Sequence, residues 1–411
     1  MLKPLSCQKL LLISFILLFS FSLFGQPEND HLEMNLNFEG SILKVDATYQ
    51  VIVKSETDRL HFMLNPGFKI GKIQAPGLDT FMMVQKEGRP FPFLGLQFNK
   101  ELHPGDVIDI QFEYQFDLKT QNHLNSDWIE LNVDKMWFPN YDDLDNRFSY
   151  SLTVQNFPDD FTLIGHVDAV IERTPEKIKI QKTEPAPEVL ILAGKSMRKW
   201  SFEDDIHIYG HQRIADSTIT SMHEKIRKSI DYYNNFFGTS NKLNSFTLVL
   251  RNTKLEELGF LFSRENLIVG AVDASDYANL SHEIAHFWWS KADFINEPWL
   301  NESFANYSML KLLEKLEPAA AESILKRYEE KEKTTIPVVG TDIFTPNGYD
   351  AYYVKGAMCL RALEQKIGFQ AMKKLLTEVA DDETISTAGF LKMIEENHGS
   401  ASRIYLQGLL E

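Results

Sequence analysis

The hydrophobic period changes once along this chain, near residue 205, and that change limits its architecture more than any other feature. From His31 to about Tyr209 apolar and polar residues alternate with period two, as in "HLEMNLNFEG", "ILKVDATYQVIVKS", "DVIDIQFEYQF" and "FSYSLTVQNF". Turn signals such as "NPG" and "HPGD" separate these runs. Such alternation gives half-buried strands, so the first part reads as an antiparallel β-domain, a sandwich by its strand spacing. Beyond "FEDDIHIYG" the period lengthens: Met222, Ile226, Ile230, Tyr233 and Phe237 recur at three and four, and Gly238 follows as a stop. "SFTLVLRN" and "LGFLFSRENLIVGAV" return briefly to strand, and nearly everything after Ser275 has helical spacing. The expectation is a multi-domain α+β protein, with an N-terminal β-sandwich over 26–205 and a small sheet plus helical lobe over 206–411.

The first residues read differently. Lys3 and Lys9 precede an apolar run from Leu10 to Phe24, followed by Gly25 and Gln26. A short basic segment, an apolar stretch of about 7–15 residues and then small residues is the secretory signal pattern, so 1–25 is expected to be removed on export. An uncleaved anchor is the alternative, but the run is short for a membrane span. Secretion or a periplasmic location follows, with no stable membrane insertion once the signal is gone. Beyond that segment only Cys359 remains, within an apolar run, so the fold relies on its core rather than on an internal disulfide, and the thiol is expected to be buried. A hydrophobic content of 44% is enough for substantial cores. A formal net charge of −16 argues against a general nucleic-acid binder.

Chemistry concentrates in "SHEIAHFWWS", Ser281–Ser290. Periodicity predicts one helix over Asp276–Ser290, which stacks His282 and His286 on one face a turn apart. Both imidazoles could then bind one tetrahedral zinc, with Glu283 displaced around the helix yet able to reach a water on the metal. A lone His-Glu-x-x-His motif also arises by chance in amphipathic helices, and a catalytic zinc needs a third protein ligand. Downstream, "NEPWLNESFANYSMLKLLEKLEP" predicts a helix capped by Asn296 with Pro298 in its first turn and Trp299, Leu300, Phe304 and Leu310 in the core. Glu302 is the candidate ligand, since a carboxylate turned inward among such residues is costly without a cation. A solvated first-turn acid is the competing reading.

"HEIAHFWW" followed by "WLNESFANY" resembles the zinc aminopeptidases of the aminopeptidase N family, whose pattern is HExxH-x18-E with the Glu in a "WLNEGFA" segment. The resemblance implies one Zn2+ held by His282, His286 and Glu302, with Glu283 as general base, and Asn306 is placed to orient a ligand. A family "Y-x-K-G" segment matches "YYVKG", implying that Tyr353 stabilises the oxyanion, with Tyr352 as fallback. The family's "G-x-M-E-N" strand matches "FSREN", implying that Glu265 binds the substrate's α-amine. "ELNVDKMWFPNYDD" resembles a further segment, which would put Glu130 at a second amine-binding position. The resemblance thus implies a thermolysin-like catalytic domain and a metallopeptidase acting on peptides with a free N-terminus. An endopeptidase, another amide or ester hydrolase, or a non-catalytic peptide-binding relative are the rival readings.

The chain departs from the family in three places. Only 15 residues separate His286 from Glu302, "FSREN" has Arg264 where the family has methionine, and little chain follows the catalytic lobe. Together these predict a tighter connection beside the metal, altered substrate contacts and a more open cleft.

Overall fold

The structure, a computed structural model, describes residues 29–411 apart from 86–90, 120–126, 142–145, 166–168, 252–261, 265, 332–335, 343–344 and 383–384. The expected signal segment therefore lies outside the described residues, as does Glu265.

The alternation read in the first half folds as expected. In strand Asp30–Glu39, Leu32, Met34, Leu36 and Phe38 point inward and are nearly inaccessible. That strand sits inside a seven-stranded sheet whose spatial order is Val170–Arg173, Lys177–Ala186, Phe148–Gln155, Asp30–Glu39, Ile42–Ile52, Val107–Asp117, Lys69–Gln74. One pairing within it is parallel, between Asp30–Glu39 and Phe148–Gln155, which alternation alone does not reveal. A four-stranded sheet, Leu78–Val84, Phe93–Leu102, Thr57–Met63 and Asn140–Tyr141, lies against it. Phe62 of the smaller sheet meets Tyr49 and Phe112 of the larger one at ring separations of 5.7 and 5.2 Å, so the two inner faces interdigitate as a sandwich. A third sheet, Phe161–Gly165, Ile191–Lys195 and Trp128–Leu131, faces the second half.

The second half opens with a five-stranded sheet ordered Met197–Ser201, Ile206–His211, Phe246–Arg251, Leu267–Ala271, Phe262–Arg264. Met197–Ser201 belongs to this sheet, so the change of sheet comes earlier than the change of period near 205. The central three strands run parallel, and every residue of Phe246–Arg251 and Leu267–Ala271 is buried. Strands covered on both faces read as continuous apolar runs, which is why these segments lost their alternation. Val249, Leu267 and Val269 pack on Trp128, Ile164, Leu190 and Leu192 of the third sheet, and this cluster joins the two halves.

The longer helices among the described residues are α1 (Asp216–Phe237), α2 (Tyr277–Ala285), α3 (Pro298–Leu316), α4 (Pro318–Lys331), α5 (Ala357–Ile367), α6 (Phe369–Asp381), α7 (Thr387–His398) and α8 (Ser400–Leu410). The five apolar residues expected on α1 are all buried, and Gly238 ends the helix with φ 65°. Tyr233 of α1 donates to the Ser281 carbonyl at 3.0 Å and so anchors α2. Cys359 is buried on α5, its thiol 3.5 Å from the Leu409 carbonyl. No described helix is long and apolar enough to cross a membrane.

Candidate metal centre

Helix α2 starts at Asp276, whose side chain accepts the Asn279 N–H at 2.9 Å. It ends at Ala285, five residues before the expected Ser290. The cause lies in the aromatic residues that follow. Trp288 and Trp289 turn into the core, their indole N–H groups donating to the Asn241 carbonyl at 3.2 Å and the Ser308 hydroxyl at 2.9 Å. His286 is the C-cap and keeps helical dihedrals, so it still stacks over His282.

The connection to α3 is held by side chains. Asp293 accepts the Ile295 and Asn296 N–H groups at 2.8 and 2.9 Å, and Asn301 pairs with both backbone groups of Ala292 at 3.1 and 2.9 Å. Glu297 rather than Asn296 occupies the cap position, and the Asn296 amide N–H instead donates to Asp293 at 2.7 Å. Pro298 takes the first helical position as expected. Glu302 then sits one turn inside α3, only 6% exposed among Trp299, Leu300 and Phe304.

These two elements bring His282, His286 and Glu302 together. The two Nε2 atoms are 3.2 Å apart, and Glu302 Oε2 lies 3.4 and 3.5 Å from them. His286 Nδ1 is 2.9 Å from the Trp289 carbonyl, which only accepts, so Nδ1 carries a proton and Nε2 is the nitrogen left to bind a metal. Three potential ligand atoms thus face one another, and Glu302 Oε2 is buried without a hydrogen-bond partner. Such a triangle is costly unless a cation sits among the three. Donors about 2.0–2.1 Å from a tetrahedral zinc stand about 3.3–3.4 Å apart, which is the spacing found here. The two-imidazole, one-carboxylate set therefore fits a metal ion.

Glu283 follows His282 on α2 and is half-buried, near enough for its charge to act on His286 and Tyr353. Tyr353 lies in a π-helical turn, Asp350–Gly356, where periodicity suggested ordinary helix. Its ring packs 5.5 Å from His282 and 4.9 Å from Tyr349. Burial, and then the Glu302 carboxylate, push its phenol well above the usual tyrosine range, so the hydroxyl stays protonated and can donate. Tyr352 points into the core, its hydroxyl bonded to the Thr341 carbonyl, and plays no part here.

Glu130 is engaged elsewhere. Its carboxylate takes the Arg251 guanidinium at 2.7 Å on each oxygen, the Trp128 indole N–H at 2.9 Å and the Asn132 amide at 3.3 Å. Burial opposes its charge, but Arg251 outweighs that and holds the carboxyl below its usual range. It therefore presents no free carboxylate to a substrate ammonium, contrary to the expectation from sequence. Arg251 was missed there. The only signal was one charge ending the otherwise apolar "FTLVLR".

No protein-family model matches the chain. Among curated proteins it is 22% identical over 406 residues to Tricorn protease-interacting factor F2 of Thermoplasma acidophilum, covering 86% of this chain and 50% of that protein. It is 25% identical over 206 residues to Probable aminopeptidase 1 of Sulfurisphaera tokodaii, covering 43% of this chain and 26% of that one. The chain thus spans about half the length of the first of these relatives and less of the other. Among solved structures it superposes on an M1 zinc metallopeptidase from Deinococcus radiodurans with a TM-score of 0.70 at 16% identity, covering 94% of this chain and 95% of that one. Native yeast LTA4 hydrolase gives a TM-score of 0.70 at 14% identity, covering 92% and 66%. The chain therefore has the fold of the M1 zinc metallopeptidases.

Proposed function

We propose that this protein is a zinc metallopeptidase that releases residues from peptide N-termini. The observation that carries the reading is the buried triangle of His282, His286 and Glu302 with Glu283 and Tyr353 beside it. Zinc held there supplies Lewis acidity, acidifying a water and polarising the scissile carbonyl. Glu283 takes the proton of the attacking water and passes it to the leaving amine. Tyr353, kept protonated by its surroundings, donates a hydrogen bond to the oxyanion. Glu265 anchors the substrate's α-ammonium, so that the first peptide bond is the one attacked. Two similar proteins lend support: one carries the name Probable aminopeptidase 1, and a variant of the Deinococcus radiodurans M1 zinc metallopeptidase was solved bound to a Tyr-Ser-Ala substrate. The basic and apolar N-terminal run supports export, so peptides outside the cytoplasm are the substrates we assign.

The engagement of Glu130 by Arg251 favours a second reading, an endopeptidase with looser demands on the N-terminus. Hydrolysis of one peptide, free and N-acetylated, by the zinc-loaded parent and Glu265→Ala separates the two. The aminopeptidase reading expects the parent to cleave only the free peptide and the variant to lose that activity selectively. Equal cleavage of both peptides by the parent would move the enzyme to the endopeptidase class.

A further inference from the structure

Asn306 lies one turn beyond Glu302 on α3 and is 4% exposed. Its amide has three partners. Nδ2 donates to the Tyr353 carbonyl and, at 2.9 Å, to the Tyr328 hydroxyl, while Oδ1 is 3.1 Å from His282 Nδ1. A backbone carbonyl only accepts, so the amide nitrogen must face Tyr353 and the oxygen must face His282. His282 Nδ1 consequently carries its proton, and the lone pair sits on Nε2, the atom turned toward His286 and Glu302. The other end of the amide acts on a different element. Within the π-helical turn Asp350–Gly356 two carbonyls accept from side chains of α3: Ser303 Oγ donates to Tyr352 at 2.7 Å and Asn306 to Tyr353.

We propose that Asn306 is a positioning residue that couples the metal ligand His282 to the phenol of Tyr353. Its oxygen fixes the ligand's tautomer, and its nitrogen seats the backbone that carries the phenol. The first part stands on the ligand geometry alone, and the second rests on the peptidase reading above.

The two ends can be separated by substitution. Asn306→Asp keeps an acceptor for His282 but removes the donor and sets a carboxylate oxygen against the Tyr353 carbonyl. Asn306→Ala removes both. Zinc affinity, read by competition with a chromophoric chelator, is expected to weaken about 10–100-fold in Asn306→Ala and to hold or tighten in Asn306→Asp, the range typical for partners behind a ligand. With a free tripeptide, zinc-saturated Asn306→Asp is expected to lose about tenfold or more in kcat at little change in KM, because the displaced group acts on the oxyanion rather than on binding. A merely structural amide would lower the unfolding temperature of both variants without this split between affinity and kcat.

Parental zinc affinity in Asn306→Ala would overturn the role at His282, and parental kcat in Asn306→Asp would overturn the role at Tyr353. Should Asn306→Ala fail to fold, zinc binding by Asn306→Asp that is about tenfold weaker than the parent's would still overturn the tautomer claim. If the parent binds zinc and cleaves no peptide, the peptidase reading fails on its own and takes the Tyr353 half with it, while the zinc titrations still decide the His282 half.

Discussion

His286 shows how the triangle settles without a metal. Burial alone would push its imidazole down, but the Glu302 carboxylate outweighs this and holds it up to about 9. Burial likewise opposes the Glu302 charge, and the two histidines still keep that carboxyl far below its usual range. A metal must displace the His286 proton, so zinc affinity should rise with pH up to about 9 and level off above it. The metal-free chain should follow the linkage for a raised pKa: the stability contributed by His286 is complete below its ordinary value of 6.5 and lost as pH rises through about 9. Thermal unfolding of metal-free protein across that window checks this, and a flat profile would contradict it. The two histidines were legible in sequence because four-residue spacing on a helix fixes a shared face whatever the fold, whereas Glu302, on the next helix, was singled out by its apolar neighbours and the family resemblance. The pairing of Glu130 with Arg251 was not, since it joins residues 121 positions apart on two different sheets.

Among the elements, the π-helical turn carries the largest local consequence. Its last residue, Gly356, lies so close to α3 that an added Cβ would overlap Ser303 Oγ and meet Ser303 Cβ at 2.8 Å. Gly356→Ala should therefore push the turn off α3, costing about 1–3 kcal/mol of stability and lowering kcat through Tyr353. Denaturant unfolding together with peptide hydrolysis measures both, and unchanged values for both would show that the close approach is not needed. The period of the sequence found α1 and its glycine stop because that helix buries a single stripe. It overran α2, since Phe287, Trp288 and Trp289 continue the apolar spacing while packing from a turn. The reading of strands as far as Tyr209 took in Met197–Ser201 but could not assign its sheet, because a strand's partner is chosen by its neighbours in space.

Across the described residues, two cores meet through an apolar seam that also holds a buried ion pair. Leu32 to Ala193 supply the sandwich core and Trp200 to Leu410 the core of the second half, with Trp128, Leu192, Val249 and Leu267 among the residues between them. Glu130 and Arg251 span the same seam at 8% and 5% exposure. Breaking such a pair leaves a buried charge, so Glu130→Gln should destabilise the protein by about 3–5 kcal/mol. Its preference for free over acetylated peptide should stay unchanged. Urea unfolding and paired-substrate kinetics test this, and a loss of that preference at parental stability would restore Glu130 to the substrate site. The central claim is that two histidines and a glutamate hold a zinc on which Glu283 works. It is tested most directly by zinc content and peptide cleavage of the parent beside Glu283→Ala. One zinc per chain in both, with cleavage lost only in the variant, is the expected result, and a parent that takes up no zinc would contradict the account.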